Sequence, residues 1–341
     1  SILYFSAEGL SEKIVLDTQW LIDALKSLIT AEVFILRRHA TIRDKWFEFK
    51  DKGKITTELL DAVWTKQNNP DLHDNREHIL LLMQQLNIIC TPRTYSDDTM
   101  ESKEENYFLA PCMLHQNTPN EVIRPEPHPQ MESTSVLCIV FTGKFLPPPI
   151  FHRLLAACIA HWPIATRKKG NTLESLIFCG CCVFQLDQSH KMILHFREYV
   201  IFVRITRMGI MNKTPSSKLC TEVRQFVTDT LLKLIGYLGQ SLKYEQYIQC
   251  HEYNGDNVNS LISVALLKDN AEVRCDSHDQ IIESRRLLKF WFEDADKEDG
   301  QHQQSTEQRE SSSSEEDEEY EGHDYANAPI TEEHINHARL C

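Results

Sequence analysis

The sequence predicts an α+β fold class, on three observations. In the first third of the chain, apolar residues recur at helical spacing in separate amphipathic segments. From Val136 to Cys250, short alternating or wholly apolar runs dominate instead, which is the pattern of strands. The gaps between most of these runs are too short for a crossover helix, so the sheet is expected to be mostly antiparallel.

Within residues 14–30, Trp20, Leu21, Ala24, Leu25, Leu28 and Ile29 share one helical face, while Asp23, Lys26 and Ser27 lie opposite. Asp17 stands where an N-cap belongs, after the strand-like Ile14-Val15-Leu16. A second helix is expected after Thr56, a capping residue, with Leu59, Leu60, Val63 and Trp64 as its buried side. A third spans 73–87 on Ile79, Leu80, Leu82, Met83 and Leu86. Ile88-Ile89-Cys90 and Tyr107-Phe108-Leu109 then flank a polar loop over 94–106, read as a hairpin with a long mobile tip. Three helices and a hairpin make a winged-helix-like subdomain over residues 1–116.

Residues 117–134 hold Pro119, Pro125, Pro127 and Pro129 among charges and read as a linker. An α/β subdomain is expected over 135–253. It opens with the alternating Val136–Phe141 run, and a helix follows that starts after Pro147-Pro148-Pro149 and stops before Trp162-Pro163. Strands are expected at 176–186, 191–197 and 199–207, a long helix at 219–238 and a strand at 242–250. Residues 254–292 form a small C-terminal addition whose end, 281–292, is apolar enough to dock on the body. Residues 293–329 are expected to be a disordered acidic tail, having almost nothing to bury. Residues 330–341 regain helical character, as the opening of a further domain.

Three phrases resemble one family. Ile2-Leu3-Tyr4-Phe5 with Leu16-Asp17-Thr18-Gln19-Trp20-Leu21 is similar to the opening of the COR domain, the module that follows the Roc GTPase in Roco proteins. The family's proline is replaced here by Thr18, a small loss of helix nucleation. Tyr107-Phe108-Leu109-Ala110-Pro111-Cys112-Met113-Leu114 resembles the end of the first COR subdomain. The strand, proline turn, helix and Trp162-Pro163 resemble the second. The resemblance covers residues 2–250 and implies a non-catalytic scaffold that pairs as a homodimer. It also implies that the scaffold couples a Roc GTPase domain in cis to other signalling proteins. GTP is then expected only on that upstream domain, which this chain would lack as a piece of a longer protein.

Composition narrows the alternatives. Of the net charge of -14, residues 293–341 contribute 16 acids against 3 bases, leaving 34 acids and 33 bases in the body. A nearly neutral body has no electrostatic case for nucleic acid or an anionic membrane. No apolar run reaches the roughly 18 residues of a membrane span. The eleven cysteines lie largely in apolar runs and fit a reducing, cytoplasmic setting. Cys179, Cys181 and Cys182 are expected to be core thiols rather than nucleophiles. His152 and His161 are expected to be half-exposed helix residues.

Gly143-Lys144-Phe145 lacks the upstream glycine and the hydroxyl of a phosphate-cradling loop. Zinc would need Cys250, Cys275 and His278, but adjacent Cys250 and His251 seldom reach one metal together, so no metal or other cofactor is expected. A winged helix also raises nucleic-acid binding as the alternative function. Against it, the 73–87 helix offers only Arg76 as a full positive charge, and DNA readers gather several. The runs Arg37 to Lys50 and Arg167-Lys168-Lys169 read as a solvated face and a loop.

The dimer interface is expected on one stripe of the long helix: Val223, Phe226, Val227, Leu231 and Leu234, with Leu232, Ile235 and Leu238 beside it. Tyr4, Phe5 and Trp20 are the candidates to face the Roc domain. Ser311, Ser312, Ser313 and Ser314 precede a run of acids, the pattern of acidophilic kinase substrates, and are the phosphorylation candidates.

Overall fold

The computed structural model describes residues 3–4, 14–15, 18–29, 40–65, 70–96, 101–123, 131–170, 172–209, 214–237, 242–250, 260–275 and 279–292. The acidic tail, Ser311–Ser314, residues 330–341, Phe5, Asp17, Arg37 and His278 lie outside the described residues. The chain divides into Ser1–Ala295 and Asp296–Cys341, and every element below belongs to the first unit. The fold is mixed helix and sheet, with mostly antiparallel pairing.

At the front, strands β1 (Leu3–Tyr4) and β2 (Ile14–Val15) pair antiparallel, and α1 (Thr18–Ile29) follows. Then come α2 (Ala40–Lys52), β3 (Gly53–Ile55), α3 (Thr57–Val63), α4 (Pro70–Asp74) and α5 (Arg76–Gln85). Strands β4 (Arg93–Ser96), β5 (Glu101–Glu104) and β6 (Phe108–Leu114) complete this part. Thr56 caps α3 as expected: its backbone is extended and its hydroxyl accepts the Leu59 N–H at 3.4 Å. Leu59, Leu60 and Trp64 are buried with Ala24 and Leu28 of α1. The Trp64 indole donates to the Ser27 hydroxyl at 2.8 Å, which donates to the Ala24 carbonyl at 2.7 Å. Ser27 is therefore half-buried and joins α1 to α3, although its polarity had put it on the outer face. Gly53 (φ +67°) is required where β3 meets β6, because a Cβ there would lie 2.4 Å from the Ala110 carbonyl oxygen.

Two front expectations need correction. The 73–87 helix is two helices, because Asn75 leaves the helical region and its side-chain amide donates to the Asp71 carbonyl at 2.9 Å. The polar 94–106 loop is not bare: β4 and β5 pair over four residues each, a ladder exposed enough to carry no apolar alternation.

The second part runs α6 (Asn120–Ile123), β7 (Met131–Ser133), β8 (Leu137–Phe141), α7 (Pro148–His161), β9 (Thr166–Lys169) and β10 (Thr172–Ser175). Next are β11 (Ile177–Phe178), β12 (Cys181–Gln185), β13 (His190–Arg197), β14 (Val200–Met208) and α8 (Ser217–Tyr237). The last are β15 (Tyr244–Gln249), β16 (Leu261–Ser263), α9 (Val264–Asp269), β17 (Glu272–Cys275), β18 (Gln280–Glu283) and α10 (Ser284–Phe292).

An eight-stranded sheet is ordered β11-β12-β13-β14-β8-β15-β16, with β7 also on β14. Two more corrections fall here. The expected 176–186 strand is cut by a turn at Cys179-Gly180, where Gly180 takes φ +76° and lies against Phe196. Arg167-Lys168-Lys169 is strand rather than loop, paired with β10 around Gly170, and Arg167 bridges Glu121 and Glu174.

Alternate residues Leu137, Ile139 and Phe141, Ile201, Val203 and Ile205, and Met192 and Leu194 belong to the main core with α7, α8 and α10. α10 is locked by a reciprocal pair. The Trp291 indole donates to the Ser135 carbonyl at 2.8 Å, and the Ser135 hydroxyl donates to the Leu287 carbonyl at 2.9 Å. Trp291 and Leu287 are fully buried. Removing so large a side chain leaves a cavity, so Trp291→Ala should cost about 3–5 kcal/mol of stability in urea unfolding. A loss within measurement error would show that α10 is not part of the core.

Candidate interaction surface on the helical layer

The helical layer over the sheet consists of α7, α8 and α10. α8 has one continuous apolar stripe, and the core uses it. Val223, Val227, Leu231 and Leu234 are buried against α7 and the sheet, at 0–1 % exposure. Phe226 is half-buried: its ring stacks on His161 (centroids 4.4 Å) and meets Trp162 edge-on (4.7 Å). The stripe expected to meet a second copy is thus spent within the chain. A helix laid on a sheet must bury its most apolar face there first.

What remains outside is Leu232, 59 % exposed, among Glu222, Gln225, Asp229 and Lys233. Ile235, set beside it in sequence, is buried. A second large apolar side chain stands at the start of the layer. Phe145 is 60 % exposed, at the end of the tight turn in which the Lys144 N–H donates to the Phe141 carbonyl at 3.0 Å. Gly143-Lys144-Phe145 is therefore the reverse turn between β8 and α7.

The layer is tied to the front part at two points. Arg153 on α7 donates from Nε to the Leu86 carbonyl at 2.6 Å, beyond the end of α5. The Ile164 N–H donates to the Arg93 carbonyl at 3.0 Å. Cys90, Leu109 and Leu114 reach from the front into the main core. Burial pushes His152 and His161 below the usual histidine range, and the nearby Arg93 charge adds to this at His161. Both therefore favour the neutral imidazole.

The other candidates are dispersed. Trp20 is half-buried against the front core, and Tyr4 pairs through its backbone with Ile14. Cys250 and Cys275 are buried in the main core, and among the described residues no three His, Cys, Asp or Glu side chains form a metal-sized group. Arg76 on α5 is engaged by Asp61, and Lys45 by Glu58 at 2.9 Å. Cys181 and Cys182 are buried on opposite faces of β12, but Cys179 is exposed at its turn, against the expectation of a core thiol.

Sequence patterning alone did not reveal Arg153, Ser135 or the isolated exposure of Phe145, because each depends on contacts far along the chain. Leu232 was visible only as a neighbour of the stripe. No protein-family model matches the chain, and no curated protein matches it.

Of the ten described cysteines, only Cys112 and Cys179 are exposed. Desolvation raises the Cys112 thiol, and burial pushes Cys181 and Cys220 up to about 12. Alkylation of the native protein followed by peptide mass mapping should therefore label Cys179 first and Cys112 more slowly. The eight buried thiols should react only on unfolding, and rapid labelling of Cys181 or Cys182 would contradict this packing.

Proposed function

We propose that this chain is a non-catalytic, self-associating scaffold of the COR type, acting through the outer face of its helical layer. The observation that carries the proposal is the pair of large apolar side chains left outside that layer, Phe145 and Leu232. Folding has already consumed the rest of the apolar stripe, so these two side chains are what the helical layer itself offers a second copy to bury. The body's nearly balanced charge, 34 acids to 33 bases, puts no general repulsion in the way of a second copy.

The COR resemblance is supported by where its phrases fall. Thr18-Gln19-Trp20 opens α1, Phe108–Leu114 is β6, and the proline turn leads into α7. The winged-helix-like reading of the front is supported by the order α2, β3, α3, α5, then the β4–β5 hairpin and β6. In that order β3 and Cys90 flank β6 on its two sides. On this proposal a Roc GTPase precedes the chain in cis and holds the GTP. α1 and Trp20 face that domain, other signalling proteins lie downstream, and the setting is cytoplasmic. The link from α5 to α7 through Arg153 supplies a path from the front to the dimer face.

In sedimentation velocity at tens of micromolar, the scale of weak specific contacts, the chain should run as a dimer. Leu232→Asp and Phe145→Asp should each shift it toward monomer with an unchanged circular dichroism spectrum. A strict monomer, or a dimer indifferent to both substitutions, would remove the proposal.

A further inference from the structure

We propose that His190 is a pH-sensitive latch on the start of α8, closed while its imidazole is neutral and opened when the ring takes a second proton. His190 opens β13 and is buried, 5 % exposed. Its Nδ1 lies 2.9 and 2.8 Å from the two carboxylate oxygens of Asp187, in the turn between β12 and β13, and 3.1 Å from the Ser189 hydroxyl. Its Nε2 accepts the backbone N–H of Ser216 at 3.3 Å. A backbone N–H can only donate, so Nε2 is bare and Nδ1 carries the one proton of the neutral ring. That proton points to Asp187.

Ser216 caps α8. Its carbonyl accepts the Cys220 N–H at 3.0 Å and its hydroxyl accepts the Leu219 N–H at 3.4 Å. The latch therefore grips the residue from which the helix starts. Arg207, directly opposite His190 on β14, donates to the Thr214 carbonyl at 2.9 Å. Two side chains at the end of one hairpin thus seat the entry to α8, and of the two the histidine alone can reverse its hydrogen-bonding sense with pH.

Nε2 is the ring atom left to take the second proton. Once it does, two donors face each other and the Ser216 bond is lost. The charges around the ring divide. The Asp187 carboxylate favours the imidazolium, whereas the Arg207 guanidinium and the positive start of α8, whose first turn holds Lys218 and no acid, oppose it. Burial alone would raise the Asp187 carboxyl, but the N–H groups of Ser189 and His190 bond it and hold it below its usual range. Asp187 therefore stays ionised while the ring titrates, and the switch belongs to the histidine. The latch is present on the alkaline side and is lost as pH falls.

The test is hydrogen exchange of the full chain between about pH 7.5 and about pH 5.5, the span in which histidine changes charge, read by mass spectrometry over residues 214–220 and corrected for the intrinsic rate at each pH. Protection there should fall about tenfold on acidification, the weight of one hydrogen bond, while β13 and β14 keep theirs. His190→Gln, whose amide takes no proton in this range, should show no such fall. Asp187→Asn, which removes the charge favouring the imidazolium, should move the midpoint to lower pH. In the unsubstituted chain at the alkaline end, imidazole nitrogen-15 shifts should show Nδ1 protonated and Nε2 bare, a reading that needs no variant to fold. The inference fails if protection over 214–220 is indifferent to pH or if His190→Gln loses it equally. It fails as well if Asp187→Asn leaves the midpoint in place or if the opposite tautomer is found.

Discussion

The fold depends on burying α7 on nearly every side. Ile150, Phe151, Leu154, Leu155, Ala156, Cys158 and Ile159 are all fully buried, too many to fit on one face of a four-turn helix. Such a helix is stable only where the sheet lies beneath it, α8 beside it and the front part against its remaining side. Phe151 meets Phe196 of β13 at 4.4 Å, and Gly180 leaves the room that this pair needs. The few polar groups on α7 are then constrained to specific partners, as Arg153 is to the Leu86 carbonyl.

That constraint decides which surfaces remain for other molecules. α8 must give its stripe to α7, and α10 must give Leu287 and Trp291 to the same core. On the layer itself Leu232 and Phe145 are left outside, while Leu173, Ile281 and Phe47 are among the large exposed side chains elsewhere. The proposed scaffold role draws on Leu232 and Phe145. Burial raises the Cys181 and Cys182 thiols and lowers the α7 histidines His152 and His161.

Much of this was legible in the residues. Thr56 announced α3, the prolines at 147–149 and 163 bracketed α7, and short connections implied antiparallel pairing. These features are local, so a window of a few residues carries them. The α4–α5 break was missed because it is a departure of one residue, Asn75, inside a stretch whose apolar period runs on past it. The Cys179 turn was missed because apolar residues on both sides of it continue the same pattern.

Which partner the α8 stripe would meet was not legible at all. Periodicity reports that a face is buried but not against what, and the choice was made by residues such as Leu154 and Phe184 far away in sequence. The Trp291–Ser135 clamp, joining positions 156 residues apart, has the same origin.

The central claim, that α7 welds the front part and the sheet into one cooperative body, is tested most directly by native-state hydrogen exchange under increasing denaturant. Amides of α7, β6, α3 and β14 should lose protection together, at the free energy of global unfolding. If α3 and β6 opened at markedly lower denaturant while α7 and β14 stayed protected, the two parts would be independent and the claim would be wrong.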